Sequence, residues 1–429
     1  MIFASTGFQS LLSRSIGSTV KAEIPRTEII TETIRRFLGI LVNANAEPTI
    51  KEISARPFDE SSDIPLYPQA VFAVCSRPRL LFLEVLVGVV ILIVGLMMNG
   101  LPPRLMVEPV PLFLAPMAGV TDLAYRLLAL EAGADLTFTE FTAASGLSRH
   151  AKHSWLKVES DPRESPFIPQ IFGGDIDEMV QTVKLLQDRA DIIDLNFGCP
   201  APKVCRNDAG AALLRNPDKV VEMVRACIEA ADIPITVKMR LGTGSGPNTA
   251  LEICQRIEAE GVERICVHGR TLRQRYSGES DWAQIRDIVE AVDIPVIANG
   301  DVVDAKSAAA CIEATGAAGL MIGRGAIGRP TIFHEIKRDL GWPNQNPPWG
   351  EDNPAVARHW CWERYLQLSS EVYEEGYCKN LKRHAVSFTK GLPGASNMRV
   401  ELHSIQNQQQ LGMRVSRYLK ELTSTEVAA

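Results

Sequence analysis

The sequence predicts an α/β fold: a TIM (β/α)8 barrel followed by a small C-terminal helical bundle domain. Three observations predict it. Eight short apolar runs recur between Leu112 and Gly325, amphipathic stretches of helical period separate them, and after Pro330 only the helical pattern continues.

The runs, in order, are LFLAPMAG from Leu112, LTFTE from Leu136, FIPQIFG from Phe167, IIDLNFG from Ile192, ITVKMR from Ile235, RICVHGRT from Arg264, PVIANGD from Pro295 and GLMIGRG from Gly319. Most are rich in β-branched or aromatic residues and stop at Gly, Pro or a polar residue, as strands buried on both faces do. The intervening DEMVQTVKLLQDRA and PDKVVEMVRACIEAA place apolar residues at three- and four-residue spacing and read as helices. Beyond the Pro/Asn-rich GWPNQNPPWGEDNP from Gly341, the stretches NPAVARHWCWERYLQLSSEVYEEGY and NLKRHAVSFTKGL predict the bundle. The expected organisation is an N-terminal extension over 1–105, the barrel over 106–335 and the helical domain over 336–429.

The extension does not share this pattern. Residues 1–79 carry no sustained period, and LLFLEVLVGVVILIVGLMMNGL from Leu80 is apolar throughout except Glu84 and Asn99. An apolar segment over 80–98 is long enough to span a bilayer, and Arg77 and Arg79 precede it. A membrane anchor, a buried helix and translated upstream sequence ahead of a start near Met106 are the three readings. The last is favoured because the barrel pattern begins within a few residues of Met106, and with it a cytoplasmic protein.

Composition narrows the function. A formal net charge of -6 excludes a wholly basic nucleic-acid binder. The nine cysteines are scattered and form no C-x-x-C pair, which argues against a zinc or iron–sulfur cluster and a disulfide framework. No metal is expected, and a monomer is.

Barrel active sites lie at the carboxyl ends of the strands, and there this chain concentrates its polar residues and glycines. Lys238 ends the fifth run within apolar sequence, where a lysine must emerge at the mouth or be paired. A structural lysine sits more often on a helix exterior, so function is favoured; a cation there stabilises an anionic reduced flavin. His268 ends the sixth run, and although a lone histidine is more often a satisfied core residue, the glycine after it allows close ligand approach. Gln170 could hydrogen-bond the polar edge of a flat ring. Asn299, Gly300 and Asp301 after the seventh run, with Gly323, Arg324 and Gly325 after the eighth, occupy the usual phosphate site of such barrels; tight βα turns are the plainer reading, and glycines at both ends tip the balance to phosphate. GTGSG from Gly242 lacks the dinucleotide-loop spacing. Between Gly376 and Lys420 eight Lys or Arg face one acidic residue, Glu401, which is a solvated face or a phosphate-contacting surface.

Taken together, APMAGVTD, DLNFGCPAPKV, VKMR, VHGRT, PVIANGD and MIGRGAIGRP resemble the tRNA-dihydrouridine synthases, flavoenzymes that reduce uridine in tRNA. The resemblance runs from about Leu112 to Pro330, and the helical tail agrees with the family's second domain. Residues 1–105 have no counterpart, and Thr243 stands where many members carry tryptophan. The resemblance implies FMN held by Pro116, Met117, Ala118, Gln170, Lys238, His268, Asn299, Gly300, Asp301, Gly323 and Arg324, NADPH as reductant, and Cys199 of the G-C-P motif as proton donor. Chemistry agrees: hydride addition to C6 of uracil leaves an enolate that needs a proton at C5, and a thiol is mostly protonated at neutral pH yet acidic enough to give one. Cys205, Cys227, Cys254, Cys266 and Cys311 read as small core residues. Asn196, Lys203, Arg240 and Arg270 are candidates to hold the nucleotide, and Lys382 and Arg383 to track the tRNA backbone.

Two rival readings remain at this point. One is a flavin barrel acting on a free pyrimidine, as dihydroorotate and dihydropyrimidine dehydrogenases do, which needs no basic tail. The other is a tRNA-binding protein without chemistry, against which Cys199 and Lys238 argue.

Overall fold

The sheet order is the barrel's own. In the computed structural model, which describes residues 107–350, 353–373 and 380–426, eight parallel strands run in the order β1-β8-β7-β6-β5-β4-β3-β2. They are β1 (Leu112–Leu114), β2 (Thr142–Ala143), β3 (Gln170–Phe172), β4 (Ile193–Phe197), β5 (Ile235–Arg240), β6 (Arg264–His268), β7 (Val296–Asn299) and β8 (Gly319–Ile322). Each is followed by a helix: α1 (Leu123–Glu131), α2 (Ala144–Ser148), α3 (Ile176–Leu186), α4 (Pro217–Glu229), α5 (Ala250–Ala259), α6 (Trp282–Ala291), α7 (Ala305–Thr315) and α8 (Ile332–Leu340). All eight expected strand runs therefore fall on strands or their immediate flanks, with one shift. The regular ladder of β2 lies just past LTFTE, yet that run closes the barrel: the Leu114 N–H donates to Leu136 O at 2.9 Å, and Thr139 N–H to Ile168 O at 3.1 Å.

Local chemistry starts the helices where the sequence changes period. Asp122, Asp175, Asn216 and Asp281 accept backbone N–H groups at the starts of α1, α3, α4 and α6, while Asp304 and Ser307 form a capping box on α7. Between strands and helices lies the main apolar core.

Inside the barrel, strand periodicity of two sets a second pattern. Phe113, Ala115, Phe138, Ile168, Cys266, Ile297 and Met321 form a separate apolar cluster. Two residues further along the same strands stand Gln170, His268 and Asn299, so the apolar layer is roofed by polar groups at the carboxyl end. Ladder register aligns them, Asn196 with Lys238, Arg240 with His268, and His268 with Asn299.

The tail forms α9 (Pro354–Val372), α10 (Leu381–Thr389), α11 (Ala395–Ser404) and α12 (Gln408–Glu426). α9 packs on α1 and α12, and α10 packs on α11 and α12. At the barrel–bundle joint the buried His384 Nε2 lies 2.7 Å from Asp122 Oδ2, and its ring stacks on Tyr125 with centroids 5.0 Å apart and packs at a tilt against Tyr365 at 4.5 Å. Arg364 adds a bidentate pair with Glu131 at 2.8 and 2.7 Å. Gly328, with φ at 70°, lets the backbone of Ser387 approach so closely that a Cβ there would sit 2.4 Å from its carbonyl oxygen. The extension over 1–105, including the apolar segment 80–98, lies outside the described residues; among the described residues no helix is long and apolar enough to cross a membrane.

Candidate active site at the carboxyl ends of the strands

A cavity of about 950 Å³ opens at this end, with a lining that includes Pro116, Met117, Ala118, Asn196, Cys199, Lys238, Arg240, His268, Asn299, Gly300, Asp301, Gly323 and Arg324. Thus thirteen of the residues singled out in the sequence converge on one space. Gln170, Lys203, Arg270, Lys382 and Arg383 are not part of that lining.

The floor is a set of fixed polar groups. Lys238 Nζ donates to Asn299 Oδ1 at 2.9 Å, and Asn299 Nδ2 donates to Met321 O at 2.7 Å, which orients the amide. Burial lowers the Lys238 pKa from its ordinary value, with neighbouring Arg240 acting in the same direction and the Asp194 carboxylate against it. His268 is pushed well below the usual histidine range, first by burial and then by Lys238, Arg240, Arg270 and Arg324, so it is neutral at physiological pH. Arg270 Nη1 lies 3.4 Å from His268 Nε2, and because a guanidinium only donates, this contact suits the tautomer with its proton on Nδ1.

Asp301 organises the end of the cavity beyond β7 and β8. Its Oδ2 accepts from Arg270 Nη2 and the Ser280 N–H, each at 2.7 Å, and its Oδ1 accepts from Arg324 Nη2 at 2.8 Å. One carboxylate thereby holds a buried and an exposed guanidinium that the sequence reading had given to different ligands. Gly300 before it has φ at 126°, and a Cβ would meet Ser280 Oγ at 2.3 Å. At Gly323 a Cβ would extend into ordinary contact with Ala115 and Met117, at 3.5 and 3.8 Å, and narrow the cradle.

Cys199 sits in a loop pinned on both sides. The N–H groups of Gly198 and Cys199 donate to Asn196 Oδ1 at 3.0 and 2.9 Å, while Gly198 O accepts Arg240 Nε at 2.8 Å. Arg240 also donates to Thr271 O and Arg275 O at 3.0 and 2.8 Å, so its fork is engaged by backbone; burial lowers its pKa to about 10. Burial pushes the Cys199 thiol above the ordinary value, which keeps it protonated. Cys205 is half-buried, its Sγ 3.6 Å from Cys199 O and not part of the cavity lining, whereas Cys227, Cys254, Cys266 and Cys311 are buried.

Gln170 is fully buried with both ends of its amide engaged, Nε2 to Asp194 Oδ2 at 2.7 Å and Oε1 from Asn196 Nδ2 at 2.6 Å. Lys203 is exposed beside the Cys199 loop. In the tail, Lys382 Nζ donates to His403 O and Ile405 O at 2.9 and 3.2 Å, and Arg383 Nη1 reaches Ala118 O at 2.7 Å.

Sequence reasoning overlooked Tyr276, which is 55% exposed at the cavity lip with the Arg240 and Arg324 guanidinium carbons 5.6 and 5.3 Å from its ring centroid. It lies in a loop with no period to mark it. Asp194 was overlooked too, although a carboxylate within the apolar IIDLNFG is a legible signal. Among the described residues no cluster of His, Cys, Asp and Glu could hold a metal ion.

Comparison with known proteins gives a consistent answer. A "Probable tRNA-dihydrouridine synthase" of Rhodobacter capsulatus is 44% identical over 256 residues, spanning 58% of this chain and 78% of that protein. The "tRNA-dihydrouridine synthase B" of Pseudomonas aeruginosa is 35% identical over 304 residues, 70% of this chain and 90% of its own length. The family described as Dihydrouridine synthase matches residues 113–423, which takes in both the barrel and the tail. The chain belongs to the dihydrouridine synthase family.

Proposed function

We propose that the protein reduces the C5=C6 bond of uridine in tRNA, with FMN in the cavity and Cys199 as the proton donor. The observation that carries this reading is the convergence of the Cys199 thiol and the Lys238 side chain on one cavity of about 950 Å³, inside a chain of this family.

The residues fit FMN. The volume suits a flavin nucleotide, Gly323 leaves the floor open, and the cavity has a cationic rim in Arg324 and an apolar wall in Ala115 and Met117. Pro116, Met117 and Ala118 would flank the ring, Lys238 and Asn299 would face its polar edge, and the backbone N–H groups of Gly300, Asp301 and Gly323 with the Arg324 guanidinium would hold the phosphate, the Asp301 carboxylate placing Arg324. His268 would complete the set as a neutral hydrogen-bonding group, whereas Gln170, outside the lining with its amide engaged by Asp194 and Asn196, would act from behind it. When bound, FMN reduced by NADPH supplies the hydride that adds to C6 of the uracil ring.

The chain's own residues supply the rest. Cys199 Sγ–H gives its proton to C5, and the resulting thiolate lies near Lys238 and Arg240, whose positive charge favours it. Asn196 and Arg240 hold the Cys199 loop, the former through two backbone N–H groups and the latter through the preceding carbonyl. Lys203, exposed beside the loop, presents positive charge to the RNA.

Anaerobic stopped-flow absorbance tests the reading. Purified protein is expected to be yellow, to be bleached by NADPH and to regain colour on mixing with tRNA lacking dihydrouridine. Return of colour with free uracil or uridine but not with tRNA would sink it in favour of a free-pyrimidine reductase.

A further inference from the structure

We propose that Asp194 is a positioning residue for Cys199, acting through the amides of Gln170 and Asn196. This rests on the reading of Cys199 as proton donor and extends it to a residue that touches neither the cavity nor the thiol.

Four hydrogen bonds form the connection. Thr236 Oγ1 donates to Asp194 Oδ1 at 2.5 Å and Gln170 Nε2 to Asp194 Oδ2 at 2.7 Å. Asn196 Nδ2 then donates to Gln170 Oε1 at 2.6 Å, and Asn196 Oδ1 accepts the N–H of Cys199 at 2.9 Å. The exposures of Asp194, Gln170 and Asn196 are 2%, 0% and 5%, so bulk water offers no substitute partner.

An amide has a donor end and an acceptor end of nearly the same shape, so its orientation is set by what surrounds it. Asp194 presents an acceptor to Gln170, which turns Nε2 toward it and Oε1 toward Asn196. Asn196 must then answer with Nδ2, which leaves Oδ1 over the Gly198 and Cys199 N–H groups. Reversing both amides would set oxygen against oxygen at Asp194, where burial leaves no solvent to relieve it, and N–H against N–H at Cys199. The polarity of the whole chain is therefore consistent only with an acceptor at position 194.

That acceptor need not be charged, which gives the test its contrast. Asp194→Asn can keep its oxygen toward Gln170 while its NH₂ donates to the Thr236 hydroxyl. Asp194→Leu keeps the branch at Cγ, with two methyl groups where the oxygens stood, and has no acceptor. In the holoenzyme, Asp194→Leu is expected to slow flavin oxidation by tRNA on the order of tenfold to a hundredfold, the scale of a modest misplacement of a reacting group. Flavin reduction by NADPH should be affected far less, and Asp194→Asn should restore most of the lost rate. In a Cys199→Ala background, Asp194→Leu should add little further loss at the tRNA step, because a displaced donor and a missing donor are the same defect.

Normal oxidation in Asp194→Leu, equal loss in the Asn and Leu variants, or full additivity with Cys199→Ala would each overturn the inference. Should Asp194→Leu fail to retain flavin, Asp194→Ala takes its place in the same cycle. Cys199→Ala measured alone separates the two ideas: a normal rate there defeats the proton-donor reading, whereas a slow Cys199→Ala beside a normal Asp194→Leu defeats only the positioning role.

Discussion

Arg383 in the C-terminal bundle donates a hydrogen bond from Nη1 to the backbone carbonyl of Ala118, 2.7 Å away. Ala118 belongs to the loop after β1 that lines the cavity, and the next residue is held from the same side: the Gly119 N–H donates to Glu140 Oε2 at 2.6 Å, while Asn380 Nδ2 lies 3.4 Å from Glu140 Oε1. The bundle therefore braces the cavity wall as well as extending the surface beside it. Arg383→Ala is expected to weaken FMN binding roughly fivefold, the scale of one partly exposed hydrogen bond. Fluorescence titration of flavin-stripped protein measures it, and an unchanged dissociation constant would limit Arg383 to an RNA contact.

Lys382 differs from its neighbour. Its ammonium caps the end of α11 through His403 O and Ile405 O, at 2.9 and 3.2 Å. Lys382→Ala is expected to lower bundle stability by about 1 kcal/mol, the usual value of a cation at a helix C-terminus, with FMN affinity unchanged. Thermal melting followed by circular dichroism checks it. If Lys382 also meets phosphate, the salt dependence of tRNA binding should flatten by about one unit in slope.

The joint between barrel and bundle is most sensitive at Gly328. Its φ of 70° and the 2.4 Å approach of the Ser387 carbonyl oxygen leave no space for a side chain. Gly328→Ala is expected to destabilise by roughly 1–3 kcal/mol from backbone strain alone, before the contact with α10 is counted. A melting temperature equal to the unmutated protein's would mean that the joint yields without loss.

Most of the barrel was legible because each strand carries its own local signal: a short apolar run, a polar or glycine end, then a helical period. The shift at β2 was not, since LTFTE satisfies the pattern of a strand while the regular ladder forms at Thr142–Ala143. Site residues were legible where they interrupt apolar sequence at a strand end, as Lys238, His268 and Asn299 do. The partners they choose were not legible, because hydrogen bonds across the barrel join residues tens of positions apart. Arg240, Gln170 and Asn196 looked like ligand contacts in the sequence; in the fold Arg240 and Asn196 engage the backbone around Cys199, and Gln170 links Asn196 to Asp194. Tyr276 and the buried Asp122–His384 pair gave no periodic sign at all.

Two pKa shifts set the expected pH dependence. Burial raises the Cys199 pKa, and the active form of a proton donor is the protonated one, so loss of activity moves to higher pH than for an ordinary thiol. His268 is depressed by burial and by surrounding cations, so it stays neutral and contributes no acidic limb. Flavin oxidation by tRNA is therefore expected to be flat between about pH 6 and 8, below the ordinary thiol value and above that of the shifted histidine. A limb near neutrality that disappears in Cys199→Ala would mean that the thiol titrates there after all.

The most decisive substitution is Cys199→Ala. The thiol lies in a loop fixed by Asn196 on one side and Arg240 on the other, within a cavity whose remaining polar groups suit a flavin. The variant is expected to fold, bind FMN and accept electrons from NADPH at close to the normal rate, since no proton from Cys199 enters that half of the reaction. Oxidation by tRNA should then slow by roughly two to four powers of ten, the usual contribution of a positioned general acid. Cys205→Ala is the matched control: its Sγ sits 3.6 Å from the Cys199 carbonyl oxygen and is not part of the cavity lining, so its loss should leave both half-reactions nearly unchanged. Stopped-flow absorbance resolves the two halves in each variant. Fast oxidation by tRNA without Cys199 would show that another group protonates C5.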